Sequence, residues 1–338
     1  MSPVVAVAVP EDLRALFFPD GVDVALGGLG ELRVVSSADE VALGSAEVLA
    51  ALAGPADVLV TSWPCASVTG PVLDAAPRLR LIAHTGASVK PYVGLDAFAR
   101  GVRVTQAGAP MARAVGEQAL ALTLALLHRV HRFDHALRTG VSWADAKAAA
   151  PPRHELAGSP VGVVGASRTG RAYVELVRAL GGVVTVADPY LSDAEAAALG
   201  VGVADLDTVL RGSRVLALHA PVLPETRRMI GARELALLPD DALLVNTARS
   251  ALIDGDALLA ELRAGRIDAA IDVYDEEPLP VDHPLRSLPN VLLTPHEAGG
   301  TVEARVRGGR LVAAEIGRFL AGAPLQHEVT DDQLARLG

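Results

Sequence analysis

From end to end the chain alternates short apolar runs with stretches that repeat apolar residues at helical spacing, and this alternation constrains the fold most. A strand buried on both faces reads as an unbroken apolar run, and its parallel neighbour is reached only through a crossover, usually a helix. In the first third, strand candidates fall at residues 4–9, 58–61, 79–83 and 102–105, with helical patterns near 45–52, 72–76 and 95–100. A long amphipathic stretch, 113–137, predicts one connecting helix. After the loop Ala148-Ala149-Ala150-Pro151-Pro152, a second series of apolar runs begins at 161–164, 183–187, 215–218, 243–246, 269–273 and 291–294. Six strands with intervening helices predict a doubly wound parallel sheet of the dinucleotide-binding kind. Residues 301–320 predict a closing helix, and there is no internal repeat.

The chain's 338 residues suffice for two domains with separate cores. A 51% apolar content excludes general disorder, yet no apolar run approaches the ~20 residues of a membrane span. The start, 2–9, lacks the basic segment and cleavage pattern of a secretory signal and reads as a first strand, so a cytoplasmic location is expected. A formal charge of −10 argues against nucleic acid as a partner. An anionic substrate would therefore need a local cation. The single cysteine, Cys65, excludes an intrachain disulfide and a thiolate metal cage; a half-buried loop thiol is expected. His128, His131 and His135 recur at helical spacing, which is expected to be a solvated face, and no metal is expected.

The run Val161-Gly162-Val163-Val164-Gly165-Ala166-Ser167-Arg168-Thr169-Gly170 passes from strand through a tight turn into a helix. Gly165 and Gly170 occupy the first and last places of the fingerprint G-x-G-x-x-G, and Ser167 replaces the middle glycine. A free helix N-terminus there would still offer N–H groups to a pyrophosphate. The next strand ends in Asp188, near the spacing of the acid that binds the adenosine ribose. A carboxylate there repels a 2′-phosphate, so the cofactor expected is NAD rather than NADP.

Three further motifs follow predicted strands: Asn246-Thr247-Ala248-Arg249-Ser250, Asp272-Val273-Tyr274-Asp275-Glu276-Glu277-Pro278, and Thr294-Pro295-His296-Glu297. Open α/β sheets bind ligands at the carboxyl ends of their strands, so these residues could converge. Reduction of a 2-keto acid needs a cation for the carboxylate and carbonyl, which suits Arg249. It needs a proton donor that titrates near neutrality, which suits His296. A carboxylate on the other imidazole nitrogen would fix the tautomer and favour the charged form, and Glu277 is the choice.

Taken in order, the fingerprint, Leu218-His219-Ala220-Pro221, Asn246-Thr247-Ala248-Arg249, Asp272-Val273-Tyr274 with Glu277-Pro278, and Thr294-Pro295-His296 resemble the D-isomer-specific 2-hydroxyacid dehydrogenases. The similarity runs from about Asp57 to Arg318. It implies a catalytic trio of Arg249, Glu277 and His296. It implies cofactor contacts from Gly165, Ser167, Arg168, Thr169, Gly170, Asp188, His219, Ala220, Pro221, Thr226, Thr247, Ala248 and Asp272. It also implies a Rossmann-type cofactor domain, 106–298, between the halves of a flavodoxin-like α/β substrate domain, 1–105 and 299–338. A homodimer and a substrate cleft between domains are further implications. The loop Gly86-Ala87-Ser88-Val89 is similar to the family's carboxylate-binding loop, with Ser88 and Val89 supplying N–H groups. Ser88, Lys90, Ser250 and Glu297 depart from the family pattern, as Ser167 does. By the same resemblance Trp63, Pro64, Cys65, His84 and Thr85 face the substrate; Trp63 favours a bulky group without choosing among pyruvate, glyoxylate, hydroxypyruvate and aryl keto acids. Two alternatives stay open: a formate or phosphoglycerate dehydrogenase type, and a non-catalytic NAD(H)-sensing corepressor-like protein. Glu277 stands where the formate branch carries an amide.

Overall fold

The computed structural model describes residues 2–336. It divides into two compact units, residues 1–111 with 300–338, and residues 112–299. The junctions thus fall at 111/112 and 299/300, against the expected 105/106 and 298/299. In the first unit the strands are β1 (Val4–Ala8), β2 (Glu31–Val34), β3 (Val58–Thr61), β4 (Leu81–His84) and β5 (Arg103–Gln106). The second unit holds β6 (Pro160–Val164), β7 (Val183–Ala187), β8 (Gly202–Val203), β9 (Val215–Leu218), β10 (Leu243–Asn246), β11 (Asp268–Ile271) and β12 (Val291–Leu293). The chain returns to the first unit through a helix, Val302–Leu320, and a short strand, β13 (Glu328–Val329).

The first sheet has the order β13-β5-β4-β3-β1-β2, parallel except for β13, which runs antiparallel to β5. From β2 to β5 this is the flavodoxin-like order, with its switch point between β1 and β3. The expected apolar runs correspond to its four buried strands. Two edge strands were not legible. β2 reads Glu-Leu-Arg-Val and lies largely exposed, so no apolar run announces it. β13 is two residues long and is held by pairing with β5 and by a bidentate bond from Arg103 to Glu328 (2.6 and 2.7 Å).

The second sheet has the order β12-β11-β10-β9-β6-β7-β8, all parallel. It is a Rossmann arrangement whose direction of winding reverses between β6 and β9. It has seven strands rather than six, because the two-residue β8 extends the edge beyond β7. Alternate side chains feed two cores: Val161, Val163, Val215, Ala217, Leu243 and Val245 on one face, Val164, Leu216, Leu218 and Leu244 on the other. Full burial of each Val or Leu contributes about 1.5–3 kcal/mol, which is why runs apolar on both faces settle in mid-sheet. Side-chain caps fix where helices begin: Ser167, Asp205 and Asp254 each accept a bond from a backbone N–H in the first turn.

The predicted single helix over 113–137 is instead two helices, Ala112–Leu127 and Val130–Arg138. They break at Arg129, which adopts left-handed φ 55°. The periodicity hid the cause. Arg129 is buried and pairs with buried Asp268 at 2.7 Å, joined there by Arg132 (2.6 Å) and His131 (2.9 Å). His131 is therefore part of a buried ion cluster, whereas His128 and His135 are exposed as expected of a solvated face. Cys65 is buried rather than half-buried, and burial pushes its thiol up to about 12.

Candidate active site

Within the second unit, three loops at the carboxyl ends of β10, β11 and β12 carry Arg249, Glu277 and His296. Each loop is fixed by the strand end beneath it. Asn246, the last residue of β10, donates from Nδ2 to the Arg249 carbonyl (2.9 Å) and accepts from the Ala248 N–H (3.0 Å). This side chain wraps the Thr247–Arg249 turn on itself. Burial pulls the Arg249 guanidinium below its ordinary value while the charge of Glu277 opposes that shift; the group stays cationic.

Asp272, directly after β11, is fully buried. Its Oδ1 accepts from the Thr294 hydroxyl (2.6 Å) and the Glu297 N–H (3.1 Å), and its Oδ2 from the Ala298 N–H (3.1 Å). These bonds bracket His296, which sits at φ 56°, a left-handed conformation uncommon outside glycine. Such a conformation costs on the order of 1 kcal/mol and persists where its surroundings impose it, often at functional sites. Tyr274 adds a second brace, its hydroxyl within 2.9 Å of the Ile271 carbonyl and 2.8 Å of that of Thr294.

The decisive contact is between His296 Nδ1 and Glu277 Oε2, 2.7 Å apart. Glu277 is anchored through its other oxygen, which accepts from the Tyr274 N–H at 3.0 Å. An ionised carboxylate can only accept, so Nδ1 carries the hydrogen and Nε2 is left for chemistry. Both side chains are about two-fifths exposed, so a reactant can reach them.

On the same unit, at the sheet's switch point, β6 runs into the glycine turn. Gly165 has φ 93°, and a Cβ there would lie 2.6 Å from the backbone of Ala220. A Cβ on Gly170 would run into the Gly165 carbonyl. The replaced middle glycine has a local explanation: Ser167 caps the helix Arg168–Ala179, accepting from the Gly170 N–H (3.3 Å) and lying 3.0 Å from the Thr169 hydroxyl. Asp188 reaches the turn, accepting from the Ala166 N–H (2.6 Å) and the Tyr190 N–H (2.8 Å). Burial lowers Arg168, and pushes His219 down to about 4, a neutral ring set against Tyr173. Thr226 closes its own loop by donating to the Pro221 carbonyl (2.6 Å) and accepting from the Leu223 N–H (2.7 Å). The Thr247 hydroxyl is buried with no protein partner. A turn with no room for side chains, a helix N-terminus, a carboxylate beyond the next strand and an orphaned hydroxyl fit a dinucleotide.

The residues 86–89 belong to the first unit, at the carboxyl end of β4. Gly86 covers His84, whose Nε2 would lie 2.8 Å from a Cβ at that position. Val89 is buried and Ala87 exposed. Asn246, Tyr274 and Thr294 stand in the sequence motifs at strand ends, and their roles rest on partners that only the folded chain supplies: the Arg249 carbonyl, the Ile271 and Thr294 carbonyls, and Asp272. Among the described residues no cluster of three or more His, Cys, Asp or Glu could hold a metal, and no helix is long and apolar enough to cross a membrane.

Comparison with known proteins agrees with this geometry. Residues 120–298 match the family model described as D-isomer specific 2-hydroxyacid dehydrogenase, NAD binding domain. The D-3-phosphoglycerate dehydrogenase of Archaeoglobus fulgidus is 34% identical over 263 residues, covering 78% of this chain and 49% of the relative. The chain thus spans about half the length of the phosphoglycerate dehydrogenases it matches. The glyoxylate reductase of Aeropyrum pernix is 35% identical over 255 residues, covering 74% of this chain and 76% of that protein. The fold is shared with apo D-lactate dehydrogenase from Escherichia coli at TM-score 0.77 and 24% identity, over 97% of this chain and 100% of that one. With more than half of its length under the family model, the chain belongs to the D-isomer-specific 2-hydroxyacid dehydrogenases, and its cofactor is NAD.

Proposed function

We propose that the protein is an NAD-dependent oxidoreductase that moves a hydride between the nicotinamide and C2 of a 2-keto or D-2-hydroxy acid. The observation that carries this reading is the 2.7 Å His296–Glu277 pair on the unit that also holds the nucleotide turn and Arg249. The bound nicotinamide supplies or accepts the hydride; the remaining work belongs to side chains. Arg249 binds the substrate carboxylate and polarises the carbonyl through paired donors. His296 Nε2 gives a proton to the oxygen as the carbonyl is reduced and takes it back in the reverse direction. Glu277 orients the ring and stabilises its charged form. Asp272, through Thr294, Glu297 and Ala298, holds the turn that presents the histidine.

The NAD contacts are assigned to Gly165, Ser167, Arg168, Thr169, Gly170, Asp188, His219, Ala220, Pro221, Thr226, Thr247, Ala248 and Asp272. The loop Gly86, Ala87, Ser88 and Val89 is assigned to the substrate. Both assignments follow the family resemblance, as do a homodimer and a cytoplasmic location. NADH absorbance followed against a panel of 2-keto acids tests the reaction, with His296→Ala and NADPH as controls. Turnover with NADH that collapses in the His296 variant is expected. Silence across the panel with NADH still bound would overturn the dehydrogenase reading and favour a nucleotide sensor.

A further inference from the structure

Two loops of the candidate site are tied together by a single residue. Tyr274 stands just beyond β11, in the loop that carries Glu277. Its main-chain N–H donates to Glu277 Oε1 (3.0 Å), while Oε2 is the oxygen that faces the histidine. Its hydroxyl lies 2.8 Å from the Thr294 carbonyl, two residues before His296, and 2.9 Å from the Ile271 carbonyl at the end of β11. The ring between these two ends packs against the apolar core that contains Ile271. Burial, aided by the charge of Asp272, pushes the phenol up to about 12. It therefore keeps its hydrogen and meets both carbonyls as a donor.

The Thr294 carbonyl belongs to the peptide that leads into Pro295, and a proline ring fixes its own φ near −65°. Holding that carbonyl fixes the plane from which His296 hangs. Only Pro295 ψ and His296 φ then remain as backbone torsions before the imidazole, and the second is the left-handed 56°. Thr294 is held at its other polar atoms too, its N–H by the Ile271 carbonyl (3.0 Å) and its hydroxyl by Asp272 (2.6 Å). Asp272 bonds to the histidine loop; Tyr274 bonds to that loop and to Glu277 as well.

We propose that Tyr274 is a positioning residue for the reaction: its N–H and its hydroxyl set Glu277 and the His296 turn at one separation, and so hold the 2.7 Å contact between them. The inference rests on the reading given above and deepens it. With the hydroxyl gone, the carboxylate is still held from one side but the histidine turn loosens on the other. The imidazolium then loses part of its support and releases its proton at lower pH. The other charges around the pair, Arg249, Asp272, Arg286 and Glu297, lie in the loops after β10, β11 and β12 and stay in place.

Tyr274→Phe deletes the hydroxyl and keeps the ring and the N–H; Tyr274→Leu removes the ring as well. The test measures kcat/KM against pH in both directions, keto-acid reduction with NADH and hydroxy-acid oxidation with NAD. Reduction needs the charged imidazole and oxidation the neutral one, so as pH rises the first falls and the second climbs about the same midpoint. Tyr274→Phe should move both midpoints down together by about 0.5–1 pH unit, the equivalent of one hydrogen bond. Tyr274→Leu should move them at least as far. NMR titration of the His296 Cε1–H, assigned by difference from His296→Ala, should show the same displacement without turnover. Circular dichroism and NADH affinity check that each variant is folded. A hydroxyl with a merely structural role would lower Tm and leave the midpoints in place. Unmoved midpoints in a folded, active variant, or an upward displacement, overturn the proposal and leave the dehydrogenase reading intact. No turnover of any acid by the wild type, with NADH bound, overturns the dehydrogenase reading and the proposal with it.

Discussion

Replacing Glu277 by Gln isolates what the carboxylate does for His296. Both of its oxygens accept hydrogen bonds, one from the Tyr274 N–H and one from His296 Nδ1. An amide has one acceptor and one donor end, so it cannot satisfy both. If its oxygen stays on Tyr274, the amide NH2 faces Nδ1 and inverts the tautomer; if it turns to Nδ1, the Tyr274 N–H loses its partner. Losing a neutral hydrogen bond costs about 1 kcal/mol. Losing the charge-assisted character of a 2.7 Å contact costs about 1–2 kcal/mol more, with the pair's partial exposure keeping it toward the low end. The sum, about 2–3 kcal/mol, corresponds to a loss in kcat/KM of roughly 30- to 150-fold. Steady-state kinetics with the best keto acid of the panel would measure it, and NADH fluorescence titration should give an unchanged Kd. In a double-mutant cycle, adding Glu277→Gln to His296→Ala should change little, because the carboxylate acts through the imidazole. A loss below threefold, or full additivity in the cycle, would refute the assignment of Glu277 as the partner that charges and orients the histidine.

Gly165→Ala should weaken both the fold and cofactor binding, since φ 93° and a Cβ 2.6 Å from the Ala220 backbone together cost about 2–5 kcal/mol; urea unfolding and NADH titration would read the two losses, and a wild-type midpoint would contradict the close packing. Asp268→Asn leaves buried Arg129 without its counter-charge and should destabilise the second unit by about 3–5 kcal/mol, a calorimetric Tm drop of roughly 6–20 °C for a unit of this size. Burial raises the Asp268 carboxyl, but hydrogen bonds from Arg132 and His131 and the charges of Arg129 and Arg132 outweigh it and hold the group well below the ordinary carboxylate range. A depressed folded value gives stability that is present above the unfolded carboxylate's pKa and lost as pH falls toward the folded value. The gap between wild type and Asp268→Asn should therefore be full near neutrality and close below about pH 4; a gap independent of pH would refute the charge argument.

The residues of the candidate trio and of the nucleotide turn were legible because they follow strands whose apolar runs are themselves legible. Short edge strands were not: β2 is polar on its open side, and β13 exists only because β5 and Glu328's partner Arg103 hold it. The break at Arg129 was hidden for a related reason. Helical periodicity registers which face is apolar, but it does not register a buried carboxylate 139 positions further along the chain, Asp268, drawing a charged turn out of line. The sequence alone determined the alternating α/β architecture, the glycine turn with Asp188 beyond it, and the chemical types of Arg249, Glu277 and His296, all set by local spacing. Only the tertiary structure decided which nitrogen of His296 faces Glu277, that Asp272 braces the left-handed turn, and that the Tyr274 hydroxyl reaches the Thr294 carbonyl. Those are distances between residues far apart in sequence, fixed by strand order and packing, and no local pattern encodes them.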